Sequence, residues 1–143
     1  MAVEAALRGD GLRLLLRVQG YEHPGIQSGE DANLLTAEVE LTVGTCGTYR
    51  ATQRASLYAP DLAAFASELR ALDRDLTGQA ELRHLEGEVC ATIKLDAGKG
   101  TLTGYVREHI FVKLGFRDIA IDQTYVREAR EQFDALVDAF PVR

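Results

Sequence analysis

Leu12, Leu14, Leu16 and Val18 alternate with Arg13, Leu15, Arg17 and Gln19, and that period of two predicts a half-buried strand. From Tyr21 to Asn33 apolar content thins out around Pro24, Gly25, Ser28, Gly29 and Asp31, which predicts an exposed loop. The cleanest alternation follows, with Leu35, Ala37, Val39, Leu41 and Val43 on one face and Thr36, Glu38, Glu40 and Thr42 on the other. Such a strand belongs to an antiparallel sheet with one wet face. After a turn at Gly44 to Gly47, Thr48 to Tyr58 alternates again and completes a hairpin.

The period then changes. Leu62, Phe65, Ala66, Leu69, Leu72 and Leu76 recur at helical spacing behind Pro60 and Asp61, predicting a helix over Pro60 to Leu76 with Gly78 as its left-handed stop. Ala80, Leu82 and His84 predict a short strand, and Val89, Ala91, Ile93 and Leu95 a longer one that turns at Ala97 to Gly100. Thr101 to Ile121 is strand-like throughout and would extend roughly 69 Å. A chain of this length has a radius of gyration of roughly 14.5 Å, so the run must break. The candidate breaks are Arg107-Glu108-His109 and Gly115. Asp122 or Thr124 can cap a second helix carrying Val126, Ala129, Phe133, Leu136, Val137 and Phe140, stopped by Pro141.

Strands, helix, strands, helix, with hairpin-length connections, is an α+β order and not the alternation of a doubly wound parallel sheet. The simplest arrangement is a single domain over residues 1–143. In it one curved antiparallel sheet of six to eight strands has both helices packed against it. No internal repeat is visible in the residues. At 46% apolar and 27% charged, 143 residues can bury about two-thirds of their surface around one core, with no need of disulfides or a structural metal. Cys46 and Cys90 have no CxxC spacing and read as free thiols. Neither a secretory apolar region nor a membrane-spanning stretch is visible, so the expected location is the cytoplasm.

Charge changes the picture further. Sixteen Lys and Arg against 22 Asp and Glu give a net charge of −6, which disfavours nucleic acid and favours basic surfaces. His23, His84 and His109 lack metal-ligand spacing, and no cofactor is expected. A nucleophilic pair of Cys46 or Cys90 with His84, and an acid/base group at His84-Leu85-Glu86-Gly87-Glu88, are the enzymatic options. A mid-strand thiol and a hairpin turn explain them equally well, and Ala97-Gly98-Lys99-Gly100 lacks the frame of a phosphate loop. Acidic residues gather on faces predicted to be wet: Glu128, Glu131, Asp134 and Asp138 on the second helix, Glu38 and Glu40 on the alternating strand, and Glu22, Glu30 and Asp31 in the loop. Such a surface reads either as an ordinary solvated face or as one that docks a basic partner.

Five segments carry a family resemblance. They are Asp31-Ala32-Asn33-Leu34-Leu35 before a strand, Asp61-Leu62 with Phe65 and Leu69, Gly78 before Leu85-Glu86, Gly100 with Gly104, and Asp122-Gln123-Thr124 before a helix ending Phe140-Pro141-Val142-Arg143. Together they resemble WapI-type immunity proteins over nearly the whole chain. Where that family commonly has a tryptophan after the Ala-Asn pair, this chain has Leu34. The resemblance implies a non-enzymatic cytoplasmic protein that binds and blocks the C-terminal domain of a polymorphic toxin, often a nuclease. The acidic residues at 30, 31, 38, 40, 128, 131, 134 and 138 are then the candidate contacts. The alternative is a small-ligand-binding domain with an apolar pocket and His84, Tyr105 or His109 as polar handles.

Overall fold

In a computed structural model, which describes residues 2–84 and 86–143, every predicted strand and helix is present and one strand is added. The added element is β1 (Val3–Gly9), paired antiparallel with β2 (Leu12–Tyr21). Ala5, Ala6 and Leu7 are all buried in it, so no wet face marks it by alternation. β3 (Leu34–Val43) and β4 (Tyr49–Tyr58) complete an antiparallel meander, with Leu34 opposite Tyr58 at its end.

α1 (Ala59–Asp75) starts with proline in its first turn and buries Leu62, Phe65, Ala66, Leu69 and Leu72. The left-handed residue that closes it is Leu76, at φ 58°, and not Gly78. Its N–H donates to Leu72 O and its carbonyl accepts from Gly98 N–H, so the turn is held from both sides. A second meander follows: β5 (Gly78–Leu82), β6 (Val89–Asp96), β7 (Lys99–Glu108) and β8 (Val112–Asp122). His84 falls beyond β5, and Leu85 lies outside the described residues. The long strand-like run breaks at the charged cluster, with His109 at φ 53°, while Gly115 sits inside β8. Gly100 and Gly104 face β6 backbone so closely that a Cβ at either would overlap the Lys94 or Cys90 carbonyl. Asp122 caps α2 (Gln123–Ala139), accepting from Thr124 N–H at 2.8 Å and Tyr125 N–H at 3.4 Å.

The fold is α+β, but the single curved sheet is corrected to two four-stranded sheets, β1-β2-β3-β4 and β5-β6-β7-β8. They share one core with both helices. The sheets meet through isolated bonds: Asp10 N–H to Ala120 O at 3.0 Å, His84 Nε2 to Ser56 O at 2.7 Å, and Gln53 Nε2 to Arg107 O at 2.9 Å. The chain therefore runs twice through four antiparallel strands and a 17-residue helix, a structural repeat that the residues did not reveal. Leu62, Phe65, Leu69 and Leu72 of α1 have the spacing of Val126, Ala129, Phe133 and Leu136 of α2. The helices pack on each other with Phe65 edge-on to Phe133 at 4.9 Å.

Each helix serves the other half. Gln132 of α2 accepts from Ala6 N–H on the edge strand β1 at 2.8 Å, and Glu68 of α1 accepts from Glu81 N–H on the edge strand β5 at 3.1 Å. Two of the sheet edges are thereby covered, as a stable antiparallel sheet requires.

Candidate functional site

The apolar stripe of α2 points its opposite face outward, but most of that face is paired within the molecule. Glu128 lies 3.3 Å from Arg8 of β1, Glu131 is 3.7 Å from Arg130, and Asp134 is 2.6 Å from Arg70 of α1. Asp73 of α1 joins them, 2.7 Å from Arg130 and 3.5 Å from Arg127, so the helix pair carries a charged seam. On the first sheet Glu38 holds Arg17 at 2.6 Å and Glu40 holds Arg50 at 3.0 Å. Arg17 also reaches Glu4 at 2.8 Å. That hydrogen bond, aided by attraction to Glu38 and Glu40, outweighs desolvation and holds the guanidinium above its usual pKa.

Glu30, Asp31 and Asp138 are exposed and, among the described residues, form no ion pair. Glu30 opens a short 3-10 turn, Asp31–Asn33, whose last residue is the one buried polar side chain in the described core. Asn33 Nδ2 donates to Gly29 O at 3.0 Å and to Arg143 O at 3.1 Å, and its Oδ1 accepts from Arg143 N–H at 2.8 Å. Arg143 stacks 3.5 Å over the Tyr21 ring and donates to Pro24 O and Ile26 O. Tyr21 meets Phe140 edge-on and donates its hydroxyl to Pro141 O. The segment after α2 is thus latched to the Glu22–Asp31 loop. The latch ties the segment after α2, the helix that carries Asp138, to the loop that carries Glu30 and Asp31, while Glu22 is engaged by Ser56 at 2.6 Å.

His84 and the two thiols stand in separate surroundings. A carbonyl only accepts, so His84 donates from Nε2 to Ser56 O, and its Nδ1 accepts from Glu86 N–H at 3.1 Å and Glu88 N–H at 3.3 Å. Both ring nitrogens hold backbone, joining the sheets and shaping a turn. Cys46 is exposed in its turn, apart from any histidine contact. Cys90 is half-buried, and burial first, with Glu81 adding, pushes its thiol above the usual range. A raised pKa disfavours the thiolate that nucleophilic attack needs. Among the described residues no group of three His, Cys, Asp or Glu is placed to hold a metal ion, and no helix is long and apolar enough to cross a membrane.

Two grooves of about 360 and 310 Å³ adjoin on the outer face of the second sheet, sharing Thr92, Thr103 and Arg117. Cys90, Tyr105 and Lys113 line the first, with Lys113 Nζ 4.1 Å over the Tyr105 ring. His109 lies elsewhere, beside Glu86, Glu88, Arg107, Ile110 and Phe111, so the polar handles of the ligand-binding alternative are divided among separate places. The feature that periodicity passes over is the β7–β8 turn, where Ile110 and Phe111 are 78% and 86% exposed, followed by Val112 at the start of β8, 61% exposed. Three large apolar residues in succession beside a charged break are the available signal, whereas alternation assigns Ile110 onward to a strand.

The model of the WapI-like immunity protein family matches residues 6–141. Neither the curated proteins nor the solved structures give a match.

Proposed function

The chain belongs to the WapI-like immunity protein family, and from that premise we propose that it neutralises a cognate polymorphic-toxin domain by stoichiometric binding, without catalysis, in the cytoplasm. Family membership carries the reading. The net charge of −6 supports a basic partner, and a nuclease toxin is one, because its substrate is polyanionic. An acidic surface of this kind covers such a site by standing in for phosphate charge.

Within the acidic set, Glu30, Asp31 and Asp138 are the contacts with carboxylates free to meet incoming cations. Glu38, Glu40, Glu128 and Asp134 reach a partner by sharing or exchanging the arginines they hold, whereas Glu131, exposed and 3.7 Å from Arg130, is more loosely engaged. Replacing an internal ion pair by an intermolecular one gains little, so the unpaired three carry the larger part of the steering. The test is co-expression with a candidate cognate polymorphic-toxin domain. Rescue of growth, a one-to-one complex and an association rate that falls with salt are expected. A toxin left fully active in the presence of excess protein refutes the reading.

A further inference from the structure

The second sheet turns toward solvent a face unlike the rest of an acidic chain. β6 leaves Thr92 and Lys94 on its outer side, and β7 leaves Thr101, Thr103 and Tyr105. On β8 the register slips opposite Leu102 and Gly104, so Arg117 and Asp118 are both exposed between buried Phe116 and half-buried Ile119. Asp118 takes φ 53° there, and its N–H donates to Thr103 Oγ1 at 3.0 Å. A bulge of this kind re-aims a side chain. Here it sets Arg117 where the two adjoining grooves meet, as a lining residue of both. Gly115 opens the larger groove: a Cβ there would have Gly104 O at 3.6 Å and Tyr105 Cβ at 3.8 Å as its nearest neighbours beyond the adjoining residues, so the strand accepts a side chain that would fill the space.

The larger groove is lined by two cations, Lys113 and Arg117, and by no carboxylate. The adjoining one sets Lys94 and Arg117 against Asp118. Among the described residues Lys94, Lys113 and Arg117 form no ion pair. Glu81, which acts on the Cys90 thiol at the groove, is itself held by Arg83 at 3.0 Å, and Glu108 shares only a neighbouring groove with Lys113. Thr103 accepts from Asp118 N–H and keeps its own O–H to donate, with Thr92 beside it. A monocarboxylate would leave one cation unanswered. A phosphate monoester, at a charge of about −1.5 to −2 with three acceptor oxygens, answers both and takes the hydroxyl donors. We propose that the groove between Lys113, Arg117, Thr92 and Thr103 is a binding site for a small phosphate monoester. Its volume of about 360 Å³ suits a ligand of that size. None of the acidic residues assigned to the toxin belongs to it, so it stands or falls apart from the immunity reading.

Titration of the whole protein with glycerol 3-phosphate, inorganic phosphate and acetate, followed by calorimetry and amide chemical shifts, tests the site. The ester is expected to bind saturably and to shift the amides of Gly104, Gly115 and Arg117, and acetate is not. Lys113→Gln with Arg117→Gln should raise Kd about tenfold or more, since each removes a charge-assisted hydrogen bond. Gly115→Val, with both cations intact, should abolish saturation by filling the groove. Lys99→Gln, at an exposed cation outside both grooves, should stay within about twofold of wild type and so exclude a general charge effect. All three variants should keep the wild-type thermal midpoint, because the substituted positions are exposed. No saturable binding of the ester below about 10 mM, or a groove variant within about threefold of wild type, overturns the proposal. Acetate binding as tightly as the ester, or inorganic phosphate binding where the ester does not, overturns it as well.

Discussion

Asn33→Ala tests the latch most directly. The substitution removes two donors to Gly29 O and Arg143 O and the acceptor of Arg143 N–H. Net hydrogen bonds contribute roughly 0.5–1.5 kcal/mol each, and the released groups can reach water, so the expected loss is about 2 kcal/mol. For a domain of this size that lowers Tm by about 6–8 °C. Urea and thermal unfolding measure it, and hydrogen exchange should show the amide of Arg143 losing protection first. Asn33→Asp keeps the acceptor but sets a buried carboxylate against the Gly29 and Arg143 carbonyl oxygens, so it is expected to lose at least as much stability as Asn33→Ala. Arg143→Ala removes the stack on Tyr21 and two further carbonyl contacts, and it should couple to Asn33→Ala because both hold the same segment. A change under about 0.5 kcal/mol, or strict additivity of the two, refutes the latch.

Asp122→Ala removes the cap of α2 and should lower stability by about 1 kcal/mol, read from urea unfolding. Phe133→Ala, which empties a fully buried site against Phe65, should cost about 3–5 kcal/mol in the same assay. Iodoacetamide near neutral pH should label exposed Cys46 and spare Cys90 until the protein is unfolded. Because the folded Cys90 thiol ionises at higher pH than the unfolded one, the native state keeps more protons in between. Its contribution to stability therefore falls as pH rises through the ordinary thiol range, whereas Cys90→Ala should flatten that decline.

Alternation locates β3, β4 and β6 because each has one wet face, and β2 through Arg13, Arg17 and Gln19 although Leu15 is buried on that side, while helical spacing locates both helices. β1 escaped because neither of its faces is wet at Ala5 and Ala6. The division into two sheets escaped for a different reason. Local pattern says which residues are inward, but not that β4 and β5 part company after α1. Of the acidic candidates Glu30, Asp31, Glu131 and Asp138 lie exposed and Glu38, Glu40, Glu128 and Asp134 are half-buried, and partners such as Arg8 for Glu128 and Arg70 for Asp134 lie on other elements where no spacing announces them. Asn33 and Arg143 each stood in a segment carrying the family resemblance, and only the folded chain shows that the two segments are one contact. In the β7–β8 run, length demanded a break and the charged cluster supplied it, which left the apolar tip unremarked.

The exchange of helices between halves has a consequence for birth on the ribosome. Synthesis proceeds in one direction, so β1 through β4 emerge and pair while the helix that shields Ala6 is still unmade. During that interval the nascent meander presents a bare backbone edge to its neighbours, the situation in which chains pair with the wrong partner. Only when α2 leaves the exit tunnel does the first half become safe. The first half is therefore open to chaperones and proteases until α2 is made, and a stall after α1 would release a sticky fragment instead of a working half.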